Sequence, residues 1–502
     1  MNSRNGIIGL AIGDAMGVPT KFMQREKLLD NPVFGMSDGG TFGKSKGTWS
    51  DSTALTLSTM DSIINYYGIS TEDIGNKLLE WMKNFKYSAE GERFDIDRTT
   101  LIALSKFEKE GLPFESGVAS EDSNSNGSLK RILPIAYYCY SANMQSSDIL
   151  DVVKKVSYIT HAHEVSVLGC YIYVLYVVAL LSGKTKYEAY QEIQKNNYNH
   201  QFSRGTLELY NRILKKNIKD VSLEEIRSTS YIVDTLEAVL WVIMNTDNFN
   251  QSIIGAINLG EDTNSIAACV GGISGILYGI KNMNPEWRID LKRYTYIRSM
   301  SDKFDKVLSS SSKKFDIPQP IFGKEESVIK IIQGDITKLN VDAYVNAANG
   351  SLLGGDGVDG AIHAAAGEEL LMKCKELGGC ETGEAKITKG YKSKAKFIIH
   401  TVAPKWYEFQ KENKEKVLNN CYENAISLAE DFECKRIAFP CLGMGTYGCP
   451  IEIGGKIAID FALREARRRD SHIETIYLVC YEKNAYEYYM KYFKEKIKEQ
   501  GK

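Results

Sequence analysis

At 502 residues, with 43% hydrophobic and 25% charged residues, the chain has a globular composition and room for two or three domains, each with its own core. A formal net charge of −2 excludes binding to nucleic acid or an anionic membrane surface through bulk charge. Ten cysteines with no C-x-x-C pair and no Cys/His ligand spacing read as reduced thiols of a cytoplasmic protein, not as a disulfide framework or a zinc site.

From Met1 to about Leu308 the apolar residues recur at three-to-four spacing, which predicts an all-α domain. Gly9, Gly13 and Asp14 interrupt the first apolar run, so it does not read as a signal peptide. Helices are predicted over Thr53–Tyr67, Thr71–Phe85, Ser146–Ser157, Val165–Leu181 and Ser252–Leu259, separated by Gly, Asn and Ser. Val165–Leu181 carries no charge and reaches the lower edge of membrane-spanning length. Ser166, Gly169 and Cys170 dilute it, and it reads as a buried helix of a large helical domain. Ser309–Ser312, Lys313-Lys314 and Pro318-Gln319-Pro320 form a polar, then proline-stiffened linker, giving domains at 1–308 and 325–502 with 309–324 between them. Beyond it, short β-branched runs at Val328–Ile332, Ala343–Asn346, Phe397–Thr401, Arg436–Pro440 and Thr475–Cys480 alternate with helical patterns. This predicts an α/β three-layer sandwich with a mixed sheet. Arg464, Arg467, Arg468 and Arg469 read as a solvated basic helix face, and no internal repeat is found.

The C-terminal domain is organised around Val341–Gly360, where an apolar strand runs into a loop of Asn, Gly and Asp. Glycines there let backbone approach a ligand, and the N–H groups before the next helix can bind an anion such as a diphosphate. Gly334-Asp335-Ile336 upstream and Gly443-Met444-Gly445-Thr446-Tyr447-Gly448 downstream supply two further pieces. With GDIT at Gly334–Thr337, NAAN at Asn346–Asn349, GVDGAIH at Gly357–His363, GCETGEAKIT at Gly379–Thr388 and IIHTVAP at Ile398–Pro404, residues 327–493 resemble a macrodomain of the MacroD hydrolase type. The resemblance implies an ADP-ribose site with no metal requirement. Asp335 would accept from the adenine amino group beside the Ile336 backbone. Asn346 would line the site, Gly357, Val358, Gly443, Gly445 and Thr446 would wrap the diphosphate, and Tyr447 would pack on the distal ribose. Asn349 and Asp359 would face the scissile end as catalytic residues. Asp356 stands where the family usually has glycine.

The helical domain carries separated motifs: Gly9-x-x-x-Gly13-Asp14-x-x-Gly17, Gly47–Thr53, Asn126-Gly127-Ser128-x-x-Arg131-x-x-Pro134, Thr160-His161 and Asn258–Ser265. Taken alone, Asp14 reads as a carboxylate accepting N–H groups at a helix start, and His161 and His163 as capping or core histidines. Asp234 and Glu237 read as structural. In order and spacing, residues 3–285 resemble the ADP-ribosylglycohydrolase family, which is all-helical and uses two Mg²⁺ or Mn²⁺ ions. That resemblance implies ligand contacts from Ser123, Asn126, Gly127, Ser128 and His161, and metal positions at Ser50, Asp51, Ser52, Asp262, Asn264 and Ser265.

The acids are depleted, however. Ser50-Asp51-Ser52-Thr53 replaces Thr-Asp-Asp-Thr, Asp262-Thr263-Asn264-Ser265 replaces Asp-x-Asp-Thr, and Pro19-Thr20-Lys21 replaces Pro-x-Glu. Two divalent ions about 4 Å apart repel by roughly 17 kcal/mol at an effective dielectric of about 20, so bridging carboxylates are essential. The expectation is therefore one weakly held Mg²⁺ or an ammonium group in the metal's place, not a dinuclear centre. Two functions stay open: a hydrolase releasing mono-ADP-ribose from a modified protein or small molecule, with the macrodomain as catalytic unit, or an ADP-ribose reader without hydrolysis. A bifunctional hydrolase would need an active metal site in the helical domain. No membrane partner is expected, and nucleic acid only as a modified substrate.

Overall fold

The computed structural model describes residues 2–111, 116–311, 328–408, 413–466, 468 and 471–500. The chain divides into two units, 1–316 and 317–502.

The first unit is helical, and its centre is a backbone-to-backbone helix pair. Helix Ser3–Gly17 presents Gly6, Gly9, Gly13 and Gly17 at three-to-four spacing to helix Thr263–Tyr278, which answers with Gly271 and Gly275. A Cβ on Gly13 would lie 1.9 Å from the Ala267 carbonyl oxygen, and one on Gly271 would lie 2.1 Å from that of Gly9. The glycine motif is therefore a packing seam. It sets Asp14 of the first helix against Asn264 at the start of the second. Helix Asp51–Tyr66 begins at this junction, two residues before the predicted start at Thr53. Ser50 caps it by accepting from Ser52 N, and Asp14 accepts from Thr53 N.

Helix Glu164–Leu181 is long and apolar enough to cross a membrane by length and composition, and 78% of it is buried inside this unit. His163 is its N-cap, accepting from Val165 N. Asp234 is held by Arg227 and Thr229, and Glu237 by Arg212. The expected linker begins inside helix Tyr294–Ser311, whose last residues are Ser309–Ser311; residues 312–324 lie outside the described residues.

The second unit holds a six-stranded sheet in the order β1-β6-β5-β2-β4-β3, from β1 Val328–Gln333, β2 Ala343–Ala347, β3 Ala385–Lys389, β4 Phe397–Thr401, β5 Arg436–Pro440 and β6 Thr475–Cys480. All neighbours are parallel except β3 and β4, so the sheet is mixed. Sequence periodicity finds five strands and misses β3. This edge strand offers only Ile387-Thr388 between Lys386 and Lys389. Helices Gly357–Ala366, Glu368–Leu377, Lys414–Asp431, Ile451–Ala466 and Lys483–Gln500 complete the unit. The loops after β1, β2 and β5, at carboxyl ends of parallel strands, are the three glycine-bearing pieces. The basic run is internally paired: Arg464 meets Glu423 at 3.0 Å, and Arg468 meets Glu430 at 3.1 Å and Glu465 at 2.8 Å. Arg467 and Arg469 lie outside the described residues.

Gly13→Ala forces the helix seam apart and should destabilise the helical unit by about 3 kcal/mol or more in urea unfolding. Gly205→Ala, with open space around its Cβ, should cost less than about 1 kcal/mol.

Candidate functional site

In the second unit the site grows from the end of β2. Asn346 and His400 are register partners on β2 and β4, both fully buried. The Asn346 amide donates to Asp359 Oδ1 at 2.7 Å and approaches His400 Nδ1 at 3.1 Å. This assigns the His400 proton to Nε2, which lies 3.0 Å from Thr388 Oγ1 on β3. Burial holds His400 neutral, with its pKa lowered to about 3.

Asp359 stands in the first turn of helix Gly357–Ala366 and is 4% exposed. Burial raises its carboxyl; the Asn346 bond and His363, whose Nε2 lies 3.6 Å away, pull it back. Asn349 Nδ2 lies 3.5 Å from Asp359 Oδ2 and donates to the Gly354 carbonyl at 2.7 Å. Asn349 Oδ1 accepts from Ser351 N and Leu352 N, each at 3.0 Å. One side chain thus stitches the loop and borders the carboxylate. Gly355 must be small, because a Cβ there would come within 3.1 Å of Asp359 Oδ2.

Around this pair the surface stays open. A Cβ on Gly357 or Gly445 would meet nothing within 4 Å. Gly443 takes a left-handed φ of 75°, and the turn closes through Gly448 N to Gly445 O at 2.9 Å, leaving Thr446 exposed. Tyr447 and Val358 pack on the same apolar cluster. Burial raises the Tyr447 phenol, and the Asp359 charge adds to it. After β1, Asp335 Oδ1 accepts from Thr337 N at 2.9 Å and Thr337 Oγ1 at 2.7 Å, which holds its carboxyl below the usual range. Ile336 beneath it is buried.

His363, Cys374 and His400 each place one ligand atom within 4.8 Å of the others. Ligand atoms on one tetrahedral zinc stand about 3.5 Å apart. The trio is looser than that, and His400 Nε2 already serves Thr388, so it reads as a core hydrogen-bonded cluster beneath Asp359.

In the helical unit the motif residues also converge, around buried charge. Asp14 accepts from Ser50 N at 3.0 Å, Ser50 Oγ at 2.6 Å, Thr53 N at 2.9 Å and Thr53 Oγ1 at 2.7 Å, and burial still raises its carboxyl. Its role is to cap the Asp51–Tyr66 helix. Lys130 Nζ straddles the Asp51 carboxylate at 2.8 and 2.7 Å. Lys21 Nζ bridges Asp95 at 2.7 Å and Asp262 at 2.8 Å. Asn126 Nδ2 donates to Asp262 Oδ2 at 2.7 Å, and Asn264 Nδ2 donates to Ser50 Oγ and Asp95 Oδ2, each at 2.8 Å. Ser52 Oγ, Ser265 Oγ and Asn264 Oδ1 are buried without a hydrogen-bond partner.

Lys130 and Asp95 are the residues sequence reasoning passed over. Lys130 fills an unspecified position of the Asn126–Pro134 motif, where a lysine beside Leu129, Ile132 and Leu133 was the available signal. Asp95, at a left-handed φ of 60°, belongs to no motif.

The remaining positions are tied inward. His161 is fully buried between Ser125 Oγ at 2.7 Å and Thr160 Oγ1 at 2.9 Å, and burial lowers its pKa to about 4. Gly127 lies against it: a Cβ would sit 2.4 Å from Asp97 Oδ2 and 2.7 Å from His161 Cε1. Ser128 Oγ accepts from Cys170 Sγ at 3.3 Å, and Ser123 Oγ donates to Val118 O at 3.3 Å.

This donor set does not fit two divalent ions. Both motif carboxylates already hold an ammonium group. A divalent ion on the far edge of Asp51 or Asp262 would stand about 4 Å from it, a repulsion of roughly 8 kcal/mol at an effective dielectric of about 20.

A family model described as ADP-ribosylglycohydrolase matches residues 2–314, and one described as Macro domain matches residues 345–458. A macro domain-containing protein of Methanosarcina mazei is 52% identical over 157 residues, 31% of this chain and 83% of that protein. The ADP-ribose glycohydrolase MACROD2 of Xenopus laevis is 43% identical over 176 residues, 35% of this chain and 42% of that protein. For the helical unit, the ADP-ribosylarginine hydrolase Tri1 of Serratia proteamaculans is 31% identical over 304 residues, 60% of this chain and 78% of that protein. The first match spans more than half of the sequence, and the chain belongs to the ADP-ribosylglycohydrolase family, with a macro domain as its C-terminal unit.

Proposed function

We propose that the protein is an ADP-ribosyl hydrolase whose macrodomain removes mono-ADP-ribose from a modified protein or small molecule, while the helical domain holds ADP-ribosyl groups. The observation that carries this reading is Asp359: a buried carboxylate with raised proton affinity, held by a neutral amide beside Asn349 and beneath two open glycine loops. A pure reader has no need of such a base. Hydrolase names on relatives of both units, MACROD2 and Tri1, support the same reaction class.

In this reading Asp335 accepts from the adenine amino group, with the Ile336 backbone beside the base. N–H groups at Gly357-Val358 and Gly443–Thr446 surround the diphosphate. Tyr447 packs on the distal ribose, and Asn349 orients it. Asp359 takes a proton from a water molecule, whose oxygen bonds to C1″ as the bond from C1″ to the leaving oxygen breaks. The proton held by Asp359 passes to that oxygen, which regenerates the carboxylate and gives free ADP-ribose and the unmodified partner. The N–H groups of the loops fix the diphosphate, and its negative charge faces the positive charge that develops at C1″. Asn346, out of reach of solvent, positions Asp359 instead of touching ligand.

The test is release of ADP-ribose from mono-ADP-ribosylated substrates by the full chain. Release should be unchanged in EDTA, and Asp359→Asn should lower turnover about 10²–10⁴-fold while ADP-ribose affinity stays within about threefold. Tight binding with no release by the wild type would leave a reader. A second expectation concerns pH. Asp359 acts ionised, and its raised pKa puts the acid limb of kcat/KM above the ordinary carboxylate value of about 4. Asn346→Ala removes the bond that lowers that pKa, so the limb should move to still higher pH. A limb that stays in place would separate Asn346 from the base.

A further inference from the structure

The helical unit has lost acids where its family is acid-rich, and two buried lysines stand in the same place. Lys21 is 5% exposed and Lys130 2%. Lysine is almost never buried to this extent unless its charge is met. We infer that the ammonium groups of Lys21 and Lys130 take the places of the two divalent ions, so that the helical domain keeps its site assembled without divalent metal.

Three observations carry this. First, the ammonium groups connect the segments that metal ions would otherwise join. Lys21 ties Asp262, the N-cap of helix Thr263–Tyr278, to Asp95, and Lys130 grips both oxygens of Asp51 at the start of helix Asp51–Tyr66.

Second, the placement of Lys21 is built into the backbone. Phe22 N donates to Glu261 O and Glu261 N to Met23 O, each at 2.7 Å, pinning the Lys21 segment to the residue before Asp262. Phe22, Asp95 and Glu261 all take left-handed φ values, 66°, 60° and 57°, a strain concentrated at one point of the unit. Third, the replaced acid positions have become neutral in step. Asn264 donates to Asp95, and Ser52 adds no charge, so each lysine faces carboxylates it can neutralise. Burial works against both ammonium charges, yet Asp262 and Asp95 keep Lys21, and Asp51 and Asp95 keep Lys130, above the usual lysine range.

The experiment uses the full chain, stripped with EDTA and exchanged into metal-free buffer. Mn²⁺ uptake is read as loss of the free-ion electron paramagnetic resonance signal. Unfolding is followed by tryptophan fluorescence, because Trp49, Trp81, Trp241 and Trp287 lie in the helical unit and Trp406 alone lies in the other. The wild type should leave the Mn²⁺ signal undiminished, and its midpoint should agree within about 1 °C between EDTA and about 5 mM MgCl₂. Lys21→Glu/Lys130→Met should take up Mn²⁺ and gain about 5 °C or more with it. Uptake of one or more equivalents by the wild type, or a Mg²⁺-dependent rise of about 5 °C, overturns the assignment. So does a folded double variant that takes up no more Mn²⁺ than the wild type. Should the double variant fail to fold, the wild-type measurements decide alone.

Discussion

A charge shut away from water must be met within about 3 Å or surrendered by titration, and both units of this protein are arranged around that requirement. They meet it in opposite ways. In the helical unit Asp51 and Asp262 face lysine ammonium groups at 2.7–2.8 Å; the pairing holds Asp262 below the usual carboxylate range, while burial pushes Asp51 above it against the pull of Lys130. In the macrodomain Asp359 receives a neutral amide, and the nearest cationic candidate, His363, stays 3.6 Å away. A carboxylate stabilised only this far keeps a raised affinity for protons, which is the property a base needs.

Each arrangement depends on a backbone device some distance from the charge. In the helical unit it is the glycine seam, where glycines at the closest approaches between Ser3–Gly17 and Thr263–Tyr278 let Asp14 reach across to cap a third helix. In the macrodomain it is parallel pairing. Register sets Asn346 beside His400, and the His400 ring fixes which way the Asn346 amide points and hence where Asp359 is held. The glycine loops then leave the strand ends with their N–H groups unencumbered by side chains.

Much of this was legible in the sequence because periodicity and local motifs report local structure. The predicted strands Phe397–Thr401, Arg436–Pro440 and Thr475–Cys480 match β4, β5 and β6 residue for residue, and Ser146–Ser157 is a helix with those ends. Asn349 and Asp359 were recognisable from the resemblance of their motifs to a macrodomain, and the structure brings them within 3.5 Å of each other. What escaped was pairing at long range. Lys21 meets Asp95 across 74 residues, and Lys130 meets Asp51 across 79, separations at which no periodicity or spacing rule operates. Counting acids within motifs pointed to a site short of carboxylates and missed both Asp95 and the second lysine. Asn346 was misjudged for a related reason. Its motif names the residue, while only the sheet decides whether the side chain faces ligand or core.

The lost acids and the buried lysines make sense only as a coupled set. Restoring an acid at Lys21 by itself would leave Asp95 and Asp262 without their ammonium partner, four acids with Asp51 facing Lys130 alone. Restoring carboxylates at Ser52 and Asn264 while the lysines remain would bury new charge with no free partner. Conversely, a lysine placed among a full complement of acids and metal ions would be repelled by the ions it adjoined. Each replacement is tolerable only in the presence of the others, the non-additivity expected of residues in one ion-pair network. Independent drift of a disused site would be expected to leave voids and unpaired charge. The close pairing of Lys21 and Lys130 describes instead a site rebuilt around a different cation.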